Sequence, residues 1–491
     1  MTIDSTQSIL RNKGLIFAKP LLPWILILVS VGAVLIVLAD RGVYIAAVCA
    51  LALVSSGVVA FGWLAQEDLF NPLGGVWVSL VLGTGIRAVY LATSASDRVQ
   101  TMMWHLDFDD LAVSATIAAV AAVAIICGYL FGGRLALRMR PRTVVDMSHG
   151  RLLSISLIVF VLAIFVAIDF FRQTGFDLSI ALSSKRRLAI DGQNVQSFAT
   201  LGYHRWMAYT LPSVIFYFWF WEFVRTRSRF AGICAFVFFL LASGFAFLSS
   251  SRSLICVLLL NSLYILNAFR YLRSSHIVLV LICVIALLSV MLGLRRMSSG
   301  NSSQMGIADM LAPTAAVDAI LGNENFSDIG RLSLIYQSVP GVMNYKYGKS
   351  YITWIFAPIP RTHWREKPVL SQGLEVSEVI YGSERSAKGI AGGGRPPCFI
   401  GEVIMNFGVF LVPVCAALYG VGLRMFQNFQ SSNARSNVLL SIFVLIPASF
   451  GLMGGEFSHT VIEVAQGLLP TMCVLLICAK IVDGVQLDAM A

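Results

Sequence analysis

Charge is scarce in this chain of 491 residues: Asp, Glu, Lys and Arg make up 13% of it, against 57% hydrophobic residues. The mean hydropathy is +0.79. That balance excludes a soluble globular domain and fits a polytopic membrane protein. Acidic residues are the scarcer sign, 26 against 36 basic, leaving a formal net charge of +10. In a membrane chain this excess divides between cytoplasmic anchoring and contact with anionic ligands, rather than serving nucleic acid. Paired cysteines are missing as well. Eight of the nine lie in hydrophobic segments and Cys398 borders a polar one, so neither a disulfide framework nor zinc-ligand spacing exists. There is no Walker string, which argues against ATP-driven transport. Gly83-Thr84-Gly85 sits inside an apolar run and lacks the strand–helix context of a nucleotide loop.

What the chain has in quantity is long apolar runs. A bilayer-crossing helix needs about 20 mostly apolar residues, and about twelve such runs are predicted. They cover 21–39, 42–64, 74–92, 111–132, 152–171, 206–224, 230–248, 253–269, 276–294, 399–423, 437–454 and 460–481. The predicted fold class is therefore an all-α polytopic membrane bundle. Its first run follows Arg11, Lys13 and Lys19, is too long for a signal-peptide core, and is read as an uncleaved span. Basic residues in the short loops set the orientation: Arg134, Arg138, Arg140 and Arg142, then Arg225, Arg227 and Arg229, then Arg270, Arg273, Arg424 and Arg435 fall on one side. Both termini are thus expected in the cytoplasm. Three regions follow: 1–294 with spans 1–9, a large outer loop over 295–398, and 399–491 with spans 10–12. The outer loop and the shorter 172–205 are both basic against the rule. The shorter one carries Lys185-Arg186-Arg187, readable as an anion contact or as solvated charge.

The large loop contains the two most distinctive strings, Ile359-Pro360-Arg361-Thr362-His363-Trp364-Arg365-Glu366-Lys367-Pro368 and Gly392-Gly393-Gly394-Arg395-Pro396-Pro397. The second runs into Ile400-Gly401-Glu402-Val403-Ile404-Met405-Asn406-Phe407-Gly408. Ionisable residues inside spans are costly and are functional candidates. Arg87, Arg252, Glu402, Glu456, His459 and Glu463 all fall toward the outer end of their spans, at the level of the basic loop. Arginine presents a fork of donors matched to phosphate. Arg252, Arg361, Arg365 and Arg395, with Lys367 and Arg87, would suit a diphosphate and stabilise it as a leaving group without a metal. Against this stands snorkelling or surface charge, which would account for Arg252 or Arg365 equally simply. A general base must be a carboxylate or imidazole near the acceptor hydroxyl. Glu402 and His363 lead, with Glu456, His459 and Glu463 as secondary candidates. His105, Asp107, Asp109 and Asp110 are read as solvated, with Asp110 capping a helix, in preference to a cation site.

Ser250-Ser251-Arg252-Ser253, Ile359-Pro360-Arg361…Trp364…Lys367-Pro368 and Pro397…Ile400-Gly401-Glu402…Asn406-Phe407-Gly408 resemble the motifs of the bacterial O-antigen polymerases, the Wzy-type oligosaccharide repeat-unit polymerases. One large outer loop before the last three spans is similar to that family too. The resemblance implies a GT-C-like bundle with a large periplasmic loop, in the bacterial inner membrane. It implies a metal-independent glycosyltransferase without a cofactor. Its substrates would be undecaprenyl-diphosphate-linked oligosaccharides, joined at the periplasmic face into O-antigen, capsule or exopolysaccharide. Arg252 and Arg361, with Arg395, would hold the diphosphate, and Glu402 or His363 would deprotonate the acceptor. A chain-length-regulating co-polymerase is implied as a partner. An O-antigen ligase and a lipid-linked oligosaccharide flippase remain as alternatives.

Overall fold

The computed structural model describes residues 70–93, 108–133, 142–173, 206–248, 252–273, 275–284, 286, 328–359, 363–364, 367–368, 370–380, 385–386, 389–390, 394–432 and 434–483. The expected spans 21–39 and 42–64 lie outside these residues. So do Arg361, Arg365, Lys185-Arg186-Arg187 and His105 with Asp107.

In chain order the helices are α1 (Pro72–Leu80), a π turn (Val81–Ile86), α2 (Arg87–Thr93) and α3 (Phe108–Gly132). A strand β1 (Arg142–Met147) leads into α4 (His149–Gln173), and a π turn (Trp206–Thr210) into α5 (Leu211–Thr226). Then come α6 (Arg229–Leu248), α7 (Arg252–Ala268) and α8 (Ser275–Val284). The loop region supplies α9 (Ile329–Ser338), a 3-10 helix (Lys349–Phe356), α10 (Gln372–Val379) and the short strands β2 (Arg385–Ser386) and β3 (Gly389–Ile390). The last part holds α11 (Cys398–Phe407), α12 (Val412–Ser432), α13 (Ala434–Ile446), α14 (Leu452–Gly454), α15 (Phe457–Cys478) and β4 (Ala479–Asp483).

Among the described residues the chain is thus helical, apart from two antiparallel ribbons that the sequence did not announce, β1 with β4 and β2 with β3. Among the described residues five helices are long and apolar enough to cross a membrane: Asp110–Gly132, His149–Asp169, Arg229–Phe247, Val409–Gln430 and Phe457–Cys478. Leu157, Val161, Phe165 and Ile168 of α4 and Ile233, Phe236 and Leu240 of α6 are exposed. Apolar faces of this extent are ruinous in water and ordinary against lipid.

Close contact between α3 and α12 depends on two glycines. A Cβ at Gly128 would lie 1.9 Å from the carbonyl oxygen of Ala417, and one at Gly420 2.1 Å from that of Ile125. Small residues let membrane helices touch along their backbones, where dispersion replaces the absent hydrophobic drive. The β1–β4 ribbon follows the end of α15 and precedes α4, and so marks one end of the bundle. The region 328–407 covers the other. Ser333 on α9 donates to the Asp110 carbonyl and Ser114 Oγ at the start of α3, and Gln337 donates to the Asp110 carboxylate. Asp110 was expected to cap α3; it lies instead inside the first turn of that helix and ties α9 down.

One expected span is corrected. The run 399–423 is a hairpin of two helices, not one. At Gly408 the backbone turns to φ 79, ψ 176, where a side chain clashes, and α11 ends. α11 then lies antiparallel to the first turns of α12, with the Phe399 and Tyr419 rings 4.9 Å apart. The crossing helix begins only at Val409.

Candidate functional site

The site at the capped end is built on two buried carboxylates. Glu402 projects from α11, and its Oε1 accepts from Ser350 Oγ at 2.6 Å. Its Oε2 accepts from the Phe457 backbone N–H at 2.7 Å. Phe457 opens α15, so Glu402 takes up one of the N–H groups that a helix start leaves without an internal partner. Glu456, one residue earlier, does the same for another helix. Its Oε2 accepts from Gln372 N–H at 2.7 Å and Gly373 N–H at 3.1 Å, the first turn of α10. Each carboxylate thus fastens an element of the cap to the bundle.

Asn406, one turn after Glu402, extends the lattice. Its Nδ2 donates to Ser350 Oγ and to the Glu402 carbonyl, both at 2.7 Å, while its Oδ1 accepts from Gly348 N–H at 2.9 Å. Ser458 Oγ donates to the Ser350 carbonyl and lies 2.8 Å from Thr353 Oγ1. Burial pushes the Glu402 carboxyl up to about 7, against the opposing pull of the Ser350 and Phe457 hydrogen bonds. Burial also raises Glu456, with His459 nearby pulling the other way. The Tyr351 phenol is raised by burial and by the neighbouring Glu402 charge.

Of the sequence candidates, Glu402, Glu456 and His459 come together around the bend at Gly455. His459 Nδ1 and Glu463 Oε1 are 3.6 Å apart on the exposed side of α15. Glu402, expected in an apolar context, is buried, and both of its oxygens are bonded to protein donors. Lys367 is buried as well. Its buried ammonium donates to the Ala357 carbonyl at 3.1 Å and that of Ile359 at 2.7 Å, clasping shut the loop that carries Arg361, His363 and Arg365. Trp364 secures the same loop edge-on against Phe356, with ring centroids 5.4 Å apart. His363 is exposed on it.

Arg87 is buried, with Nε 3.5 Å from Asp328 Oδ1. Asp328 also lies 4.0 Å from Arg331, whose guanidinium donates to the Pro396 carbonyl at the entry to α11. A carboxylate already meets Arg87, so its first task is to fix α9. Arg395 is half-buried, its N–H donating to the Gly373 carbonyl at 2.8 Å. Arg252 begins α7, and its side chain lies outside the described residues.

Asp328, Arg331, Ser350 and the ion pair of Lys346 with Glu375 escaped the sequence reading. The one available signal was Ser350 and Thr353 at i, i+3 in a run otherwise rich in aromatic and aliphatic residues. Comparison with family models, with curated proteins and with solved structures found no match.

Proposed function

We propose that this chain is a membrane glycosyltransferase that joins lipid-diphosphate-linked oligosaccharide repeat units at the capped end of the bundle. The observation that carries the reading is the clasped loop. Lys367 and Trp364 close it, and its span holds two arginines outside the described residues and an exposed histidine. In the reaction the acceptor hydroxyl attacks the anomeric carbon of the growing chain. The bond from that carbon to the diphosphate oxygen breaks, and the diphosphate departs with the electron pair. Arg361, Arg365 and Arg395 meet the charge that develops on it, as fixed cations do without reorganisation. His363 accepts the hydroxyl proton, since a base must reach the proton it removes and Glu402 is enclosed. Glu402 and Glu456 act as positioning residues that hold the cap in place.

The test uses cells whose only copy carries His363→Ala or Arg361→Ala, with the membrane level of the protein matched to wild type. Surface and lipid-linked glycans are resolved on gels. The ladder of long polymer is expected to collapse to single repeat units that still reach the surface. Full-length polymer stranded on its lipid carrier would identify a ligase instead. Single repeats trapped on the cytoplasmic face would identify a flippase, and an unchanged ladder in both variants would remove the loop from the site.

A further inference from the structure

The 3-10 helix Lys349–Phe356 is amphipathic the wrong way round for water. At three residues per turn its side chains eclipse at i, i+3 and form three rows. One row, Ser350, Thr353 and Phe356, faces the bundle, with Ser350 and Thr353 1% and 8% exposed and bonded to Glu402, Asn406 and Ser458, and Phe356 packed on Trp364. A second, Lys349, Ile352 and Ile355, faces outward, with the isoleucines 53% and 54% exposed. The third holds Tyr351 and Trp354. Tyr351 stacks on Phe407 at 5.9 Å and meets Phe457 edge-on at 5.2 Å, which fixes the roll of the helix. The polar pair is therefore buried by necessity and the apolar row is turned out.

Beside that row an exposed apolar stripe runs onto the candidate membrane span Val409–Gln430. Phe407, stacked against Tyr351, ends α11, and Phe410 in the following turn is 95% exposed at the mouth of the span Val409–Gln430. From there Val414 and Leu418 carry the apolar stripe down α12. Ile359 extends it on the cap side. The residue types suit the boundary layer of a bilayer: an indole, aliphatic side chains, and a lysine at the start of the helix to reach anionic headgroups.

We propose that Lys349–Ile359 is an interfacial segment, seated among the headgroups and upper acyl chains of the leaflet on the capped side. It places the entrance of the clasped loop, which begins where this segment ends, at the level of lipid headgroups. The inference rests on the membrane embedding of the bundle and not on the glycosyltransferase reading, so either can fail without the other.

The test introduces a diazirine-bearing aliphatic residue at position 352, 355 or 359, one at a time, in the full-length protein in lipid nanodiscs. Position 418 in α12 serves as the lipid-facing reference. After illumination, intact mass is expected to show phospholipid adducts at 352 and 355 in yield comparable to 418. Adducts with water alone would overturn the proposal. A crosslinked dimer in proteoliposomes would also overturn it, by assigning the face to a second copy. Because these side chains are exposed and touch no part of the polar lattice, loss of folding at one position leaves the other two informative.

Discussion

A carboxylate removed from water keeps its charge only where donors replace the lost hydration. Glu402 meets that demand with one hydroxyl and one helix-terminal N–H, and still titrates near 7 because burial outweighs both. The sign of the consequence is fixed by linkage. The folded state holds the proton to higher pH than the unfolded state, so this group's contribution to stability is present at low pH. It is lost as pH rises from about 4.5 through about 7. A shift of this size corresponds to about 3 kcal/mol. Thermal unfolding of the wild type in detergent should show this decline across that window. Glu402→Gln, which cannot titrate, should flatten this part of the profile. A variant profile parallel to wild type would mean that Glu402 is ionised throughout. The sequence made Glu402 visible, as an acid after Gly401 in an apolar run. Its partners, 52 and 55 residues away in Ser350 and Phe457, carry no local signature.

Among the elements, the long helices were legible because a run of about 20 apolar residues has one inexpensive solution in lipid. The expected 111–132, 152–171, 230–248 and 460–481 match four of the five spans closely. The hairpin at Gly408 was hidden, since hydropathy averages over a turn that is itself apolar on both sides. The loop was expected to pack on the bundle, being too long for a structureless connector, but its elements were not legible: its helices are short, and tertiary bonds from Glu456, Asp110 and Asp328 hold them rather than their own periodicity. Gly408→Ala tests the hairpin directly. A backbone at φ 79, ψ 176 is open almost only to glycine, so alanine should cost about 1–3 kcal/mol. The Tyr345 hydroxyl, 3.3 Å from the added Cβ, leaves little room for relief. A lowered melting temperature is expected, and the lipid-facing part of α12 should stay helical. An unchanged melting temperature would argue for a continuous span through 399–423.

At the scale of the whole molecule, the two ends differ in how their charge is disposed. Arg151, Arg225, Arg227, Arg229, Arg270, Arg273 and Arg424 gather toward the end marked by the β1–β4 ribbon. Arg227 there stacks on Tyr271 at 4.1 Å, and Arg225 bonds Glu222. Among the described residues at the capped end, Lys346 pairs with Glu375, and Arg87 and Arg331 with Asp328. Because basic residues that flank spans are retained on the cytoplasmic side, we propose an orientation with the ribbon inside and the cap outside. Alkaline phosphatase fused after Ile380 should therefore be active, because it folds only once exported. β-Galactosidase fused after Asp483 should be active because it stays in the cytoplasm. Activity of both fusions with the opposite reporters would invert the molecule and move the clasped loop away from the outer face, where the proposed reaction needs it. One and the same reporter active at both points would contradict the bundle itself, because α15, which separates Glu456 at the cap from Ala479 at the ribbon, would then fail to cross the membrane.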